Sequence, residues 1–218
     1  MNDYTFHIPP PCHEEIEVLF ADTDLLVIHK PAGLLSVPGR IVKDCVLNRL
    51  QAEYPDVVIV HRLDLDTSGL LVLSLSAAAT SDLNRQFRER KVRKTYVAVV
   101  DGVVIDDSGE IELPIRGDPD NRPRQVVDEK NGKQALTHYK VIERQDDCSR
   151  LHLTPVTGRS HQLRIHLAEV GHPILGCDLY APKEVLQRAD RLLLHATSLE
   201  FFHPVSKDGL TFNSQPCF

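Results

Sequence analysis

Val57-Val58-Ile59-Val60 and Leu70-Leu71-Val72-Leu73-Ser74-Leu75 enclose the polar stretch His61-Arg62-Leu63-Asp64-Leu65-Asp66-Thr67-Ser68-Gly69. Both flanking runs are short, aliphatic and bounded by polar segments, which predicts buried strands. Loops anchored on rigid strands carry a disproportionate share of catalytic groups. This one holds a His, an Arg, two Asp, a Thr and a Ser. The same residues also fit a polar hairpin loop, with Asp64 or Asp66 satisfying backbone donors and Gly69 supplying an unusual dihedral. Both readings stand at this point.

Upstream, Glu17–Phe20 and Leu25–His29 flank Asp22-Thr23-Asp24 as a β-hairpin. Lys30 to Arg40 contains two prolines and two glycines and predicts a long ordered loop. Asp44 is placed to cap a short helix with Val46, Leu47 and Leu50 on one face, closed by Tyr54-Pro55. Downstream, Ala77–Arg90 reads as an amphipathic helix burying Leu83 and Phe87, and Thr95–Val100 as a strand. Lys133–Glu143 pairs with Arg150–Thr154, and Ser160 caps a helix carrying Leu163, Leu167 and Val170 that ends at Gly171. Ile174–Tyr180 is loop, Val185–Ala189 a helical turn, and Leu199–Phe202 and Leu210–Phe212 are terminal strands. Strands outnumber helices without a regular βαβ beat, which predicts an α+β fold. We expect a mixed, mainly antiparallel bent sheet flanked by a few helices. No repeat or Ser/Gly linker breaks residues 17–218, so one domain is expected there, behind a loosely held N-terminal arm over 1–16 that carries Pro9-Pro10-Pro11.

A hydrophobic content of 42% and a charged content of 26% over 218 residues are those of a globular protein. The net charge of −6 means that any polyanion must be bound by a local patch. Six of the ten residues from 85 to 94 are basic: Arg85, Arg88, Arg90, Lys91, Arg93 and Lys94. Such a run at a helix end suits the helix dipole, and on an acidic chain it also suggests a phosphate-facing edge. The five scattered cysteines argue against a disulfide framework and a structural zinc site. Met1 to Glu15 lacks a signal-peptide pattern, and no run approaches the roughly 18 apolar residues of a membrane helix. A cytoplasmic protein without a membrane partner is expected.

The chemistry narrows by elimination. A metal site would draw on His61, Asp64, Asp66, His161 and His166, but His161 and His166 are five apart, off the helical spacing that puts ligands on one face. No G-x-S-x-G elbow, G-x-x-x-x-G-K or G-x-G-x-x-G loop is present. What remains is an aspartate, several arginines, and a tyrosine leading out of a basic segment. A carboxylate held by an arginine stays ionised, and can attack carbon or stabilise developing positive charge on a sugar. Neighbouring arginines can grip phosphates bidentately. Together these suggest work on a nucleoside within a nucleic acid.

His61-Arg62-Leu63-Asp64 with Thr67-Ser68-Gly69 resembles the catalytic-aspartate motif of the RluA family of pseudouridine synthases. Lys30-Pro31-Ala32-Gly33-Leu34, Lys94-Thr95-Tyr96-Val97-Ala98 and Gly158-Arg159-Ser160-His161-Gln162-Leu163-Arg164-Ile165-His166 match in the expected order. Gly171–Gly176 and Leu192–Ala196 complete a resemblance that spans about residues 17–213. It implies the pseudouridine synthase catalytic fold and an isomerase that breaks the N1–C1′ bond of uridine, turns the uracil and rejoins it through C5, with no cofactor and no metal. It implies that Asp64 is the essential carboxylate, attacking C1′, attacking C6 or taking a sugar proton. Arg164 would pair with Asp64, Tyr96 would lie against the uracil and could remove the C5 proton, and Leu163 would pack under the ring.

Arg62 would fill the space left by a base flipped from its stack. His61 and Thr67 join the substrate-binding set as residues that shape the loop, while Asp66 is structural. Arg40, Arg88, Arg93, Lys94, Arg122 and Arg124 would hold phosphates. Val37–Arg40, Asn121–Pro123 and the lack of room for an S4 domain before Glu17 are similar to family members that modify a 23S rRNA hairpin and the anticodon stem-loop of tRNAs. The expected partner is therefore RNA rather than DNA, met by a monomer. An inactive RNA-binding protein of the same fold and a metal-dependent hydrolase using His61 and Asp66 are the alternatives.

Overall fold

The aliphatic run after the polar stretch forms a strand buried along its whole length, β4 (Ser68–Ser74), in the computed structural model, which describes residues 8–218. Its period-two alternation feeds two cores at once. Leu71 and Leu73 join Leu26 and Ile28 on one face, while Leu70 and Val72 join Leu25 and Val27 on the other. The first core is closed by Val46 and Leu50 of α1 (Val46–Leu50), the second by Leu83 of α2 (Ala77–Arg88). Burial of each such aliphatic side chain contributes about 1.5–3 kcal/mol, which fixes the register of β4.

Around β4 the described residues form a ten-stranded mixed sheet. One edge is the hairpin of β1 (Glu17–Ala21) and β2 (Leu25–Lys30), with β2 on β4. On the other side of β4 lies β11 (Leu194–Phe202), then β5 (Arg93–Asp101), β10 (Cys148–Pro155), β9 (Leu136–Arg144) and β6 (Ser108–Glu112). Two strands branch off: β3 (Val58–Ile59) on β4 and β12 (Gly209–Asn213) on β11. β4 and β11 run parallel, and the other pairs are antiparallel. A separate ribbon joins β7 (Ile115–Gly117) to β8 (Gln125–Val127). Behind β5 and β10, Leu163 and Leu167 of α3 (Gln162–Glu169) pack with Ala98, Leu151 and Leu153 in a third core. The last helix is the short α4 (Lys183–Leu186). The α+β class, with a mixed, mainly antiparallel sheet and few helices, is as expected.

Local expectations fail in four places. Val57–Val60 is not a buried strand: only Val58 and Ile59 pair, and Val58 is exposed. Asp44 does not cap α1, because it is drawn into an ion pair with Arg49 and the Cys45 thiol accepts the Asn48 N–H instead. Ser160 does not cap α3; the cap position is His161, because the Gln162 side chain takes the Arg159 N–H and the Thr157 hydroxyl. The last long strand begins at Leu194 rather than Leu199 and lies in the sheet interior. The expected arm is also less loose than its composition suggests, since Arg49 donates to the carbonyls of Cys12 and Glu14. Residues 1–7 of that arm lie outside the described residues.

The parallel join between β4 and β11 rests on Gly69. Its φ is +111°, and a Cβ there would lie 2.3 Å from the Ala196 carbonyl oxygen and 2.7 Å from the Ala196 nitrogen. Gly69→Ala should therefore cost roughly 3 kcal/mol or more, in the range reserved for severe packing conflicts. Gly171 has φ +86° but open space around it, so Gly171→Ala should cost only about 1–2 kcal/mol of left-handed strain. Urea unfolding of both variants tests this, and equal losses would refute the close approach.

Candidate active site

Asp64 sits in the loop from β3 into β4, and that loop is clamped by the Lys30–Gly39 segment. The Lys30 side chain is fully buried, and its ammonium donates to the carbonyls of Pro31 at 2.8 Å, Leu34 at 2.8 Å and Leu65 at 2.9 Å. The Gly33 N–H also donates to the Leu65 carbonyl, at 3.0 Å. Ser36 completes the clamp from the other side of Asp64, its hydroxyl donating to the Leu63 carbonyl at 2.8 Å and accepting the Leu63 N–H at 3.2 Å. Burial pulls Lys30 down to about 7, against the opposing charges of Asp66 and Asp64. Lys30 and Ser36 lie outside the residues expected at the site. Their signal was available in a lysine before Pro31 at the end of an apolar strand, where an ammonium has no water and must find carbonyls.

Two cavities meet at Asp64. One, of about 600 Å³, is walled by Tyr96, Leu163 and Arg164 on the inside and by Arg88, Arg90 and Lys94 at the rim. His61 and Thr67 also line it. The other, of about 1210 Å³, lies between the Lys30–Lys43 segment and the β7–β8 turn and carries Arg40, Arg122 and Arg124. Arg62, Leu63, Asp64, His161 and Arg164 belong to both walls. Arg62 is exposed and donates to the Ser160 hydroxyl at 3.2 Å. The expected residues thus gather around one carboxylate, apart from Arg93, which is exposed at the start of β5 and lines neither cavity. Arg85 and Lys91 are engaged with Asp82 and Glu89.

The electrostatics revise one role. Arg164 does not form an ion pair with Asp64. Its place on α3 turns it toward the 174–180 loop, where it pairs with Asp178, touches the Cys177 sulfur at 3.4 Å and lies 5.5 Å over the Tyr180 ring. Burial opposes its charge, but the Cys177 and Asp178 contacts, with the more distant Asp64, push its pKa above the ordinary arginine value. Tyr96 packs at the boundary of two cores, and burial reinforced by the Asp64 charge pushes its phenol well above its usual value. Such a phenol is neutral at working pH, with its ring on the cavity wall.

Two of the three histidines in the metal-ligand set are otherwise engaged. His61 Nε2 accepts the Val72 N–H at 3.1 Å, and its ring lies 4.6 Å from that of Phe87. His166 contacts the Thr137 hydroxyl at 3.0 Å and the Leu113 carbonyl at 3.1 Å, tying α3 to the sheet. The metal-hydrolase alternative therefore loses His61, the histidine it relied on, to the fold. Among the described residues, the His/Asp grouping that could hold an ion is Asp22, Asp24 and His203, remote in the fold from Asp64.

Residues 24–169 match the family model of RNA pseudouridylate synthases. The chain is 47% identical over 212 residues to the dual-specificity RNA pseudouridine synthase RluA of Escherichia coli O6:H1, covering 96% of this chain and 97% of that protein. It is 51% identical over 190 residues to the protein of the same name from Yersinia pestis, covering 86% and 92%. Human RNA pseudouridylate synthase domain containing 1 superposes with a TM-score of 0.81 at 28% identity, over 96% of this chain and 86% of that one.

The neutral histidines behind the site give the protein an acid limit. His195 is 2% exposed and donates to or accepts from Ser68 at 2.8 Å; burial, with His29 and Arg191 nearby, pulls it down to about 4. Burial takes His61 down to about 3, with Lys94 adding to the effect. Below the unfolded value of about 6.5, the unfolded chain binds more protons than the folded one, so stability falls as pH drops from there toward 4. His195 alone accounts for roughly 3 kcal/mol across that interval. Unfolding free energies between pH 7 and pH 4 should show this loss, and His195→Asn should reduce it. An unchanged slope in that variant would remove His195 as the cause.

Proposed function

The chain belongs to the RNA pseudouridylate synthase family, enzymes that isomerise uridine to pseudouridine in RNA, and from that premise we propose that Asp64 is the carboxylate that carries the reaction. The single observation that supports this is the meeting of two cation-lined cavities at one clamped aspartate. Isomerisation breaks N1–C1′, forms C5–C1′, removes a proton from C5 and places one on N1, so the carboxylate needs placement more than an outside reagent. Attack at C1′, attack at C6 and removal of a sugar proton all require it held against the nucleoside, which Lys30 and Ser36 do through the backbone on either side. Leu163 and the neutral Tyr96 offer apolar surface for the uracil, and Arg164 holds positive charge near the carboxylate.

Arg62 enters the gap of an extruded uridine, repaying an unstacking cost of a few kcal/mol. Arg88, Arg90 and Lys94 on one side and Arg40, Arg122 and Arg124 on the other hold the phosphates that flank it. Single-stranded loops suit this arrangement, because their bases leave the stack cheaply. The relatives' dual-specificity name supports two RNA classes as substrates, and we assign a 23S rRNA hairpin and the anticodon stem-loop of tRNAs. Both cavities come from one chain, which supports action as a monomer by a single catalytic domain over 17–218. Five free cysteines and an RNA substrate support a cytoplasmic site of action; no described helix is long and apolar enough to cross a membrane.

Asp64→Asn should abolish pseudouridine formation on such stem-loops while leaving RNA affinity within a few-fold, and near-normal turnover would refute the assignment. The cells' own RNA offers the substrate test: pseudouridines missing from a strain without this protein should fall in those two RNA classes. Phosphate contact predicts that log Kd depends steeply on log salt, with Arg88→Gln/Arg90→Gln lowering the slope by about 1–2. An unchanged slope would move the phosphate path elsewhere.

A further inference from the structure

Tyr180 joins three parts of the wall that carries Arg164. Its ring lies under two guanidinium groups, Arg124 at 5.4 Å and Arg164 at 5.5 Å. Its hydroxyl accepts the Gln125 backbone N–H at 2.9 Å and meets His161 Nδ1 at 2.7 Å. With Gln125 donating to the oxygen, the hydroxyl hydrogen still needs an acceptor, and Nδ1 is the one within hydrogen-bond reach among the described residues. Burial pushes this phenol up to about 12, so the hydrogen is in place near neutral pH. His161 Nδ1 then accepts, which puts the imidazole hydrogen on Nε2. Burial also holds His161 below its ordinary value, against Asp64 and Asp178 and with the help of Arg164 and Arg62.

The backbone at His161 has φ +56° and ψ +16°, a left-handed conformation uncommon for a residue with a side chain, and that side chain caps no helix N–H. Strain of this kind gathers where a side chain has to be aimed. Nε2 has no hydrogen-bond partner among the described residues, yet none of their buried side-chain polar atoms lacks one. Nε2 is therefore accessible, on a ring that walls both cavities alongside Asp64.

We propose that His161, oriented by Tyr180, donates its Nε2 hydrogen to a carbonyl oxygen of the uracil as it detaches, and is a further catalytic residue of the isomerisation. The inference rests on the Asp64 site proposed above. When N1–C1′ breaks, its electron pair leaves with the uracil and the negative charge spreads over N1, O2 and O4. A fixed neutral donor facing one of those oxygens stabilises charge where it develops, without reorganising during the step. His161 keeps its hydrogen throughout, since the proton lost from C5 balances the one gained at N1.

Single-turnover rates on a saturating uridine stem-loop, measured with RNA Kd and melting temperature, test this. His161→Phe should slow turnover about 100-fold with Kd unchanged, and His161→Gln, which keeps an N–H donor, should recover at least a tenth of the wild-type rate. Tyr180→Phe keeps the ring between the two arginines but loses the hydroxyl, and should slow turnover about tenfold. A wild-type rate in His161→Phe overturns the proposal. So does a loss that follows weaker RNA binding and is not relieved by Gln, which marks a structural role. A wild-type protein that makes no pseudouridine would instead sink the isomerase site itself, so the two failures are distinct.

Discussion

The buried ammonium of Lys30 is the interaction on which the site depends. An uncompensated charge in an apolar interior is costly enough that the group normally neutralises or moves to water. Here the three ammonium hydrogens meet three carbonyls, of Pro31, Leu34 and Leu65. Two belong to the segment after β2 and one to the loop of Asp64, so satisfying the charge fixes the distance between the two segments. Losing either segment would leave buried donors unpaired, which is why a loop of this polarity can be rigid. Asp64 inherits its position from the residues on either side, Leu63 and Leu65, and no ion pair or hydrogen bond is needed at the carboxylate itself.

A second constraint places that loop between the halves of the molecule. The residue after Ser68 must allow β11 to approach β4 at van der Waals distance, and a glycine with φ +111° allows it. The join brings β5 within one strand of β4, and with it Tyr96, which packs against the cores on both sides. Ser68, His195 and Arg191 seal the seam with hydrogen bonds at 2.8 and 2.5 Å. The chemistry therefore sits where two cores meet, with the apolar wall supplied by one and the carboxylate by the other.

What was legible in the sequence follows from the range of the forces involved. The short aliphatic run Leu70–Leu73 is a local signal, and it led directly to a buried strand and to the loop before it. The motif resemblance led to Asp64, Tyr96 and Arg164, which the fold does bring to one cavity wall. Partners were not legible, because a side chain chooses among neighbours distant in sequence: Arg164 meets Asp178 across 14 positions and Lys30 meets Leu65 across 35. The caps failed for the same reason. Asp44 and Ser160 have the right chemistry, but Arg49 competes for the first and the Gln162 side chain dictates the turn at the second. The strand near the chain's end reads as beginning at Leu199 until the contact of Gly69 with Ala196 is seen, and no periodicity reports that contact.

An acidic protein with a polyanionic substrate looks contradictory, and the distribution of ion pairs resolves it. Asp44, Asp82, Asp101, Asp107 and Asp128 each hold an arginine away from the cavities. Asp82 is gripped by Lys207 and Arg85 and held well below the usual carboxylate range, despite the burial that opposes it. Arg62, Arg88, Arg90 and Arg159, by contrast, line the cavity at Asp64 and form no ion pair among the described residues. Paired charges cancel at a distance of about a Debye length, roughly 8 Å at physiological salt, while unpaired ones in a concave wall keep their field. The net charge then describes the solvent face of the molecule, and the local field at the Asp64 cavity is set by Arg62, Arg88, Arg90 and Arg159, which carboxylates do not neutralise. A substrate phosphate meets those arginines at close range, while the excess carboxylates on the rest of the surface reach it through screening solvent.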